Sequence, residues 1–491
     1  MLGVTRMRHP GKDILMADKM NLTLLTDFYE LTMANGYFEA GMKDDIAYFD
    51  CFFRNVPDDG GFAIFAGLNE IIEYMEDLKF TEEDIEFLRR KGGMSEEFLD
   101  YLKDFKFECD VWAIPEGTPI FPGEPILTVR GPVMQAQFVE TMILLVVNHE
   151  SLIATKANRI VRAAQGRAIM EFGSRRAHGA SAAIYGARAA YIGGCIGTAC
   201  TVCERDMGIK ALGTMAHSWV QMFPDEYTAF KKYAEIYPEN CVLLVDTYNV
   251  LKSGVPAAIK VFKEMKPEKM GIRIDSGDVS YLTKKARKML DEAGLQDCTI
   301  AVSNSLDEHI IRDVIAEGAC IDSFGVGERL ITAKSSPVFG GVYKLCALEK
   351  DGELIPKMKI SENVGKITNP GFKTLYRLFD LDTDRAIADL ITLDDEPEPT
   401  GEDMEIFDPQ NIWKHKTVSN YYAKNLRVPI FDKGKLIYNK PSIEEIRTYC
   451  LKQIDSLWEE IKRFENPQTY YVDLSEKLWE MKQELLNAHN R

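Results

Sequence analysis

The sequence predicts an α/β protein built around parallel strands, and three observations carry that prediction. Four short apolar runs, CVLLVDT (241–247), GIRIDSG (271–277), TIAVSN (299–304) and IDSFGVG (321–327), each end in polar residues or glycine. Their end markers Asp246, Asp275, Ser303 and Gly325 lie 29, 28 and 22 residues apart, the repeat length of a βαβ unit. Amphipathic stretches near 252–266, 279–293 and 306–317 fill the intervals. The spacing fits a parallel sheet either open or closed into a barrel. In both arrangements ligands gather at the carboxyl ends of the strands.

The remaining segments follow in order. Residues 1–20 carry Arg6, Arg8, Lys12 and Lys19 but no apolar core of a secretory signal, and read as an extension, disordered or an early start. Residues 21–150 mix helical and strand signals. Thr81-x-x-Asp84 and Ser95-Glu96-Glu97 mark helix starts, and 118–132 reads as short antiparallel strands punctuated by Pro and Gly. Helical patterning resumes over 134–170. Residues 355–440 read as strands and turns. Ser442-x-x-Glu445 after Pro441 opens one terminal helix, and Asp473-x-x-Glu476 opens the last.

Composition narrows the function classes. With 59 Lys+Arg against 76 Asp+Glu, the net charge is −17 over 491 residues, which disfavours nucleic acid and anionic membranes as partners. No apolar run approaches the ~18 residues of a membrane span. Ten cysteines, mostly isolated, fit reduced cytosolic thiols, so a soluble cytoplasmic protein is expected. The charge is uneven. Segment 394–408 holds eight acids and no base, and reads as a solvated surface loop. Residues 151–200 hold seven Lys or Arg against the single acid Glu171, with 13 Ala and 7 Gly. A basic, small-residue window suits a small anionic ligand; it also fits a helix whose arginines pair with acids elsewhere.

Among the motifs, Cys195-x4-Cys200-x2-Cys203 matches a plant-type iron–sulfur spacing. Its fourth ligand would be Cys241 inside an apolar run, so packing cysteines are the expectation. Neither GxxxxGK[ST] nor GxGxxG occurs. The strand ends offer carboxylates, hydroxyls and backbone N–H groups suited to phosphate and a divalent cation. His217, at the end of an apolar run, is a candidate acid/base, metal or phosphoryl-accepting group, or a hydrogen-bonded interior histidine.

Seven ordered blocks give a further reading: TDFYELTMANGYF (26–38), EFGSRRAHG (171–179), GTMAHSW (213–219), VDTYN (245–249), IRIDSGD (272–278), SNSLDE (303–308) and FGVGERLITA (324–333). Together they resemble the nicotinate phosphoribosyltransferases, from about residue 21 to the C-terminal helices. The resemblance implies an irregular (β/α) barrel with parallel strands over 151–350. It also implies an α+β domain built from N-terminal and C-terminal segments (21–150 and 351–491). The implied reaction joins nicotinate to phosphoribosyl pyrophosphate in NAD salvage, a ligase-type glycosyl transfer coupled to ATP hydrolysis through a phosphohistidine at His217. Phe172 and Tyr29 would sandwich the pyridine ring, Tyr29 arriving from a neighbouring subunit of a homodimer. Arg175 would engage phosphate or pyrophosphate, and Arg273 the nicotinate carboxylate. Asp275 would serve catalysis and bind ribose hydroxyls or Mg²⁺, with Asp246 orienting His217. Ser303, Asn304, Gly325 and Gly327 would form a phosphate cradle, with Thr198 and Ser218 also binding substrate. Related nicotinamide enzymes carry Asp in the block aligned with IGTAC (196–200), whereas position 199 here is Ala, which favours the acid over the amide. Alternatives are a nicotinamide phosphoribosyltransferase, an inactive phosphosugar-binding relative, and a phosphosugar aldolase or lyase. The last needs a Schiff-base Lys or metal ligands that the strand ends do not supply.

Overall fold

The computed structural model describes residues 21–489, except 410 and 412. The expected extension at 1–20 lies outside the described residues. The chain is mixed α/β and divides into two compact units. One comprises Ile153–Pro337; the other takes residues 21–152 together with residues 338–489.

The unit Ile153–Pro337 is built on five parallel strands: β1 (Ala168–Glu171), β2 (Cys241–Leu244), β3 (Met270–Ile274), β4 (Thr299–Ser303) and β5 (Ser323–Val326). Their order is β1-β5-β4-β3-β2. Registers such as Leu244 opposite Arg273, and Gly325 opposite both Ser303 and Met170, bring the carboxyl ends level. Single parallel bridges from Glu171 to Thr198 and from Thr198 to Ala211 extend the sheet beyond β1. Leu243, Val245, Ile272, Ile274 and Ile300 are wholly buried, as expected for strands covered on both faces. The predicted helices appear as Val255–Met265, Val279–Glu292 and Glu308–Ala316. Asp278 and Asp307 cap the latter two by accepting from Tyr281 and from His309 and Ile310 N–H.

The other unit holds a seven-stranded sheet whose pairings are all antiparallel. It runs Glu353–Pro356, Gly341–Lys350, Ile46–Phe53, Leu127–Pro132, Asp110–Ala113, Val428–Asp432 and Lys435–Leu436. A four-stranded sheet pairs Lys373–Asp380 with Ala386–Leu393 and Tyr421–Asn425, and adds Val472–Leu474 parallel to Ala386–Leu393. Capping boxes form at Thr81/Asp84 and Ser442/Glu445 as the spacing predicts.

Three expectations need correction. Asp473 does not open the last helix: it is buried in the strand Val472–Leu474, and Ser475 caps Glu476–His489 by accepting from Leu478 N–H. Segment 394–408 is not a uniformly solvated loop. Asp394 accepts from Thr374 and Arg427, Asp395 pairs with Lys477 at 2.6 Å, and Glu396 accepts from Leu393 N–H and Ser475. Met404–Phe407 within it pairs as a strand with His415–Val418. Lastly, the helical stretch Val133–Ala163 is long and apolar enough to cross a membrane, although 72% of its most apolar window is buried in the protein. Polar residues such as Gln135, Gln137 and Glu150 obscured that run in the sequence, and all three are buried.

Candidate active site

The carboxyl ends of β2 and β3 bring His217, Asp246, Arg273 and Asp275 together. His217 opens the short helix His217–Gln221 and keeps its side chain 38% exposed. Its Nδ1 lies 3.2 Å from Thr247 Oγ1, and its Nε2 lies 4.0 Å from Asp275 Oδ2. Asp246, expected to orient His217, does different work. Its Oδ2 accepts from Asp275 N–H at 3.0 Å and Ser276 Oγ at 2.6 Å, tying the end of β2 to the end of β3. Its Oδ1 is buried and accepts no hydrogen bond among the described residues. Asp275 Oδ1 accepts from Ser303 Oγ, which links β3 to β4.

Arg273 donates from Nη1 to Thr214 Oγ1 at 3.0 Å, while its buried Nε has no partner among the described residues. Burial pulls its pKa below the usual value; Asp275 and Asp246 oppose that, and Arg175 adds to it. A desolvated guanidinium with donors to spare suits a planar carboxylate. Arg175 itself is exposed in the turn Ser174–Arg176.

Phe172 follows β1 and donates its N–H to Val326 O at 2.7 Å. Its ring lies against Gly325, where a Cβ would come within 2.5 Å of Phe172 Cδ2. Gly325 therefore seats the ring. Gly327 also packs on Phe172, through the latter's backbone carbonyl. Ser303 is buried with its hydroxyl on Asp275, while Asn304 is exposed, at φ 82°.

Thr198 does not present its hydroxyl to a ligand as expected. It is fully buried, and Oγ1 donates to Glu171 at 2.6 Å while accepting from Cys200 N–H at 2.9 Å. Ser218 is exposed beside His217. Tyr29 lies in the other unit on the helix Phe28–Glu39, 44% exposed, where burial and the carboxylates of Glu140 and Glu30 push its phenol pKa upward. Among the described residues, three carboxylates close enough to share a cation occur at Glu70, Glu116 and Glu150, also in that unit, and not around Asp275. Cys195, Cys203 and Cys241 are buried, and all ten cysteines are free.

Fold and site together define an α/β protein with an acid, an imidazole and guanidinium groups at the carboxyl ends of parallel strands. Sequence matches specify which one. Residues 24–148 match the nicotinate phosphoribosyltransferase N-terminal domain, 167–379 the nicotinate phosphoribosyltransferase family, and 372–482 the C-terminal domain. The chain belongs to the nicotinate phosphoribosyltransferase family. It is 45% identical to the nicotinate phosphoribosyltransferase of Bacillus subtilis, covering 95% of this chain and 96% of that one. It is 31% identical to the human enzyme, covering 93% and 95%. The crystal structure of human nicotinic acid phosphoribosyltransferase superposes with a TM-score of 0.82 at 29% identity, over 95% of this chain and 100% of that one. At 24% identity and a TM-score of 0.69, a Pyrococcus furiosus nicotinate-nucleotide pyrophosphorylase shares the fold, over 92% of this chain and 99% of that one.

Proposed function

We propose that this enzyme forms nicotinate mononucleotide and pyrophosphate from nicotinate and phosphoribosyl pyrophosphate, in NAD salvage, with ATP hydrolysis coupled through His217. The observation that carries the reading is the gathering of His217, Asp275 and Arg273 at one end of the sheet in a chain of this family. Phe172 stacks on the pyridine ring, and Arg273 receives the carboxylate. Nicotinate's ring nitrogen attacks the anomeric carbon as the bond to pyrophosphate breaks through an oxocarbenium-like centre. Arg175 steadies the leaving charge.

For His217 to accept a phosphoryl group at Nε2, its Nδ1–H must donate to Thr247 Oγ1. That tautomer leaves the Nε2 lone pair free, and Asp275 then balances the charge of the modified ring. A Mg²⁺ would be held by Asp275, with the unpartnered Oδ1 of the neighbouring Asp246 as a second oxygen. When bound, that ion neutralises developing charge on pyrophosphate. Bridges at Thr198 and Ala211 support reading the sheet as part of an irregular (β/α) barrel. The exposed ring of Tyr29 supports a homodimer in which it completes the partner subunit's site. Ten free cysteines support a cytoplasmic location.

The test is nicotinate mononucleotide formation from the two substrates, with and without ATP, and with nicotinamide as competitor. Product from nicotinate, raised by ATP and little affected by nicotinamide, supports the reading. Equal use of nicotinamide replaces it with a nicotinamide phosphoribosyltransferase, and absence of product with an inactive phosphosugar-binding relative.

A further inference from the structure

Glu171, the last residue of β1, is 1% exposed in a region otherwise rich in basic residues. Its two carboxylate oxygens point to different segments. Oε1 accepts from Gly173 N–H, closing the turn that carries Phe172, and Oε2 accepts from Thr198 Oγ1 at 2.6 Å. Thr198 Oγ1 in turn accepts from Cys200 N–H at 2.9 Å. The Glu171 backbone repeats the link: its N–H donates to Gly197 O at 3.0 Å, and its carbonyl accepts from Ala199 N–H at 2.8 Å. One residue therefore holds both the turn presenting Phe172 and the segment presenting Ala199.

We propose that Glu171 is a positioning residue that sets the pyridine-binding wall, fixing Phe172 and Ala199 relative to each other. The proposal rests on the reading of this chain as a nicotinate phosphoribosyltransferase. A strand end in a tightly packed sheet is an expensive place for a carboxylate, and burial pushes the Glu171 carboxyl upward against its two hydrogen bonds. An apolar residue would fill the space without that cost, but would leave the Gly173 amide and the Thr198 hydroxyl unpaired. The Phe172 ring has little room to compensate, because Gly325 and Gly327 pack directly against that residue. Loosening the clamp thus moves the ring face and position 199 together, while the β2–β3 ends keep their own supports.

The experiment is steady-state kinetics of Glu171→Ala, Glu171→Gln and Thr198→Val on the full-length enzyme, varying each substrate in turn. Glu171→Ala is expected to raise the nicotinate KM about 10- to 100-fold, the scale of a lost buried hydrogen-bond pair and a misplaced binding wall. The KM for phosphoribosyl pyrophosphate stays within about threefold, as expected when uniform binding of one substrate alone is lost. Glu171→Gln, which keeps one acceptor, recovers part of the loss, and Thr198→Val reproduces part of it. A folded Glu171→Ala with unchanged nicotinate KM overturns the proposal, as does an equal rise for both substrates. If Glu171→Ala does not fold, Thr198→Val decides by the same criterion. A wild-type protein that makes no product rejects the proposed activity itself; an active wild type indistinguishable from the variants rejects only the role of Glu171.

Discussion

Thr247 Oγ1 sits 3.2 Å from His217 Nδ1, on the side of the imidazole away from Asp275. That placement divides the ring's two nitrogens between a positioning contact and a reactive edge. His217→Asn is expected to abolish ATP hydrolysis coupled to product formation, with some phosphoribosyl transfer remaining at high substrate. Thr247→Val should leave the imidazole in place and lower phosphohistidine formation by about 5- to 10-fold, the scale of one neutral hydrogen bond. The ratio of ADP to nicotinate mononucleotide, with detection of an acid-labile, base-stable phosphoprotein, checks both. Unchanged coupling in His217→Asn defeats the phosphohistidine assignment.

Gly325→Ala tests the seat of the Phe172 ring. The added methyl would lie 2.5–2.6 Å from two ring carbons, so the ring must move. Nicotinate KM is expected to rise by about tenfold or more, since displacement of a binding wall by ~1 Å is costly. The circular dichroism spectrum should stay that of the wild type. A Gly325→Ala enzyme with wild-type nicotinate KM would show that the ring is not the stacking face.

Much of this organisation is legible in the sequence because the central strands obey local rules. Apolar runs of the right length, ended by Asp, Ser or Gly at βα spacing, can be read one segment at a time. The division of labour at the strand ends is not local. Whether Asp246 meets His217 or the amide of Asp275 depends on how far β2 and β3 extend relative to each other. Glu171 is visible as the lone acid of a basic window, but its two partners lie 2 and 27 residues away. Asp473 reads as a helix cap for a related reason: an Asp three residues before a Glu has that look until a parallel strand claims it. Tertiary pairing overrides the local signal there.

Glu30 gives the protein a pH-dependent element beside Tyr29. Buried, and accepting from Thr26 and Thr141, it has its pKa raised by desolvation to about 7 from 4.5. Below pH 4.5 it is protonated whether the chain is folded or not. Between 4.5 and 7 the unfolded chain ionises first, so the raised pKa favours the folded state at low pH and that advantage is lost as pH rises through about 7. By pH 8 the loss is roughly 3.5 kcal/mol at most, from ~1.4 kcal/mol per pKa unit. Glu30→Gln removes the titration and keeps an acceptor. Thermal midpoints measured at pH 6 and pH 8 should fall more for the wild type than for Glu30→Gln. Parallel behaviour of the two proteins would refute the assignment.

The final prediction concerns the buried pair Arg377–Asp389, both side chains wholly inaccessible. Arg377 Nε and Nη2 donate to the two Asp389 oxygens at 2.8 and 2.6 Å, and Tyr470 OH donates to Asp389 at 2.8 Å. Removing one partner of such a pair ordinarily costs about 3–5 kcal/mol, because the other charge is stranded. Here Glu124 changes the expectation. Burial, then the charge of Asp389, pushes the Glu124 carboxyl well above the usual range, while the Arg377 guanidinium pulls it the other way. When Asp389→Asn removes that charge, Glu124 is free to ionise and supply Arg377 with a replacement counter-ion. Asp389→Asn alone should therefore cost less than the usual amount, and Glu124→Gln alone should cost little. The double variant, which leaves the guanidinium without either acid, should cost more than the two single variants added together. Urea unfolding of all four proteins gives the coupling directly. Additive costs would mean that Glu124 does not stand in for Asp389.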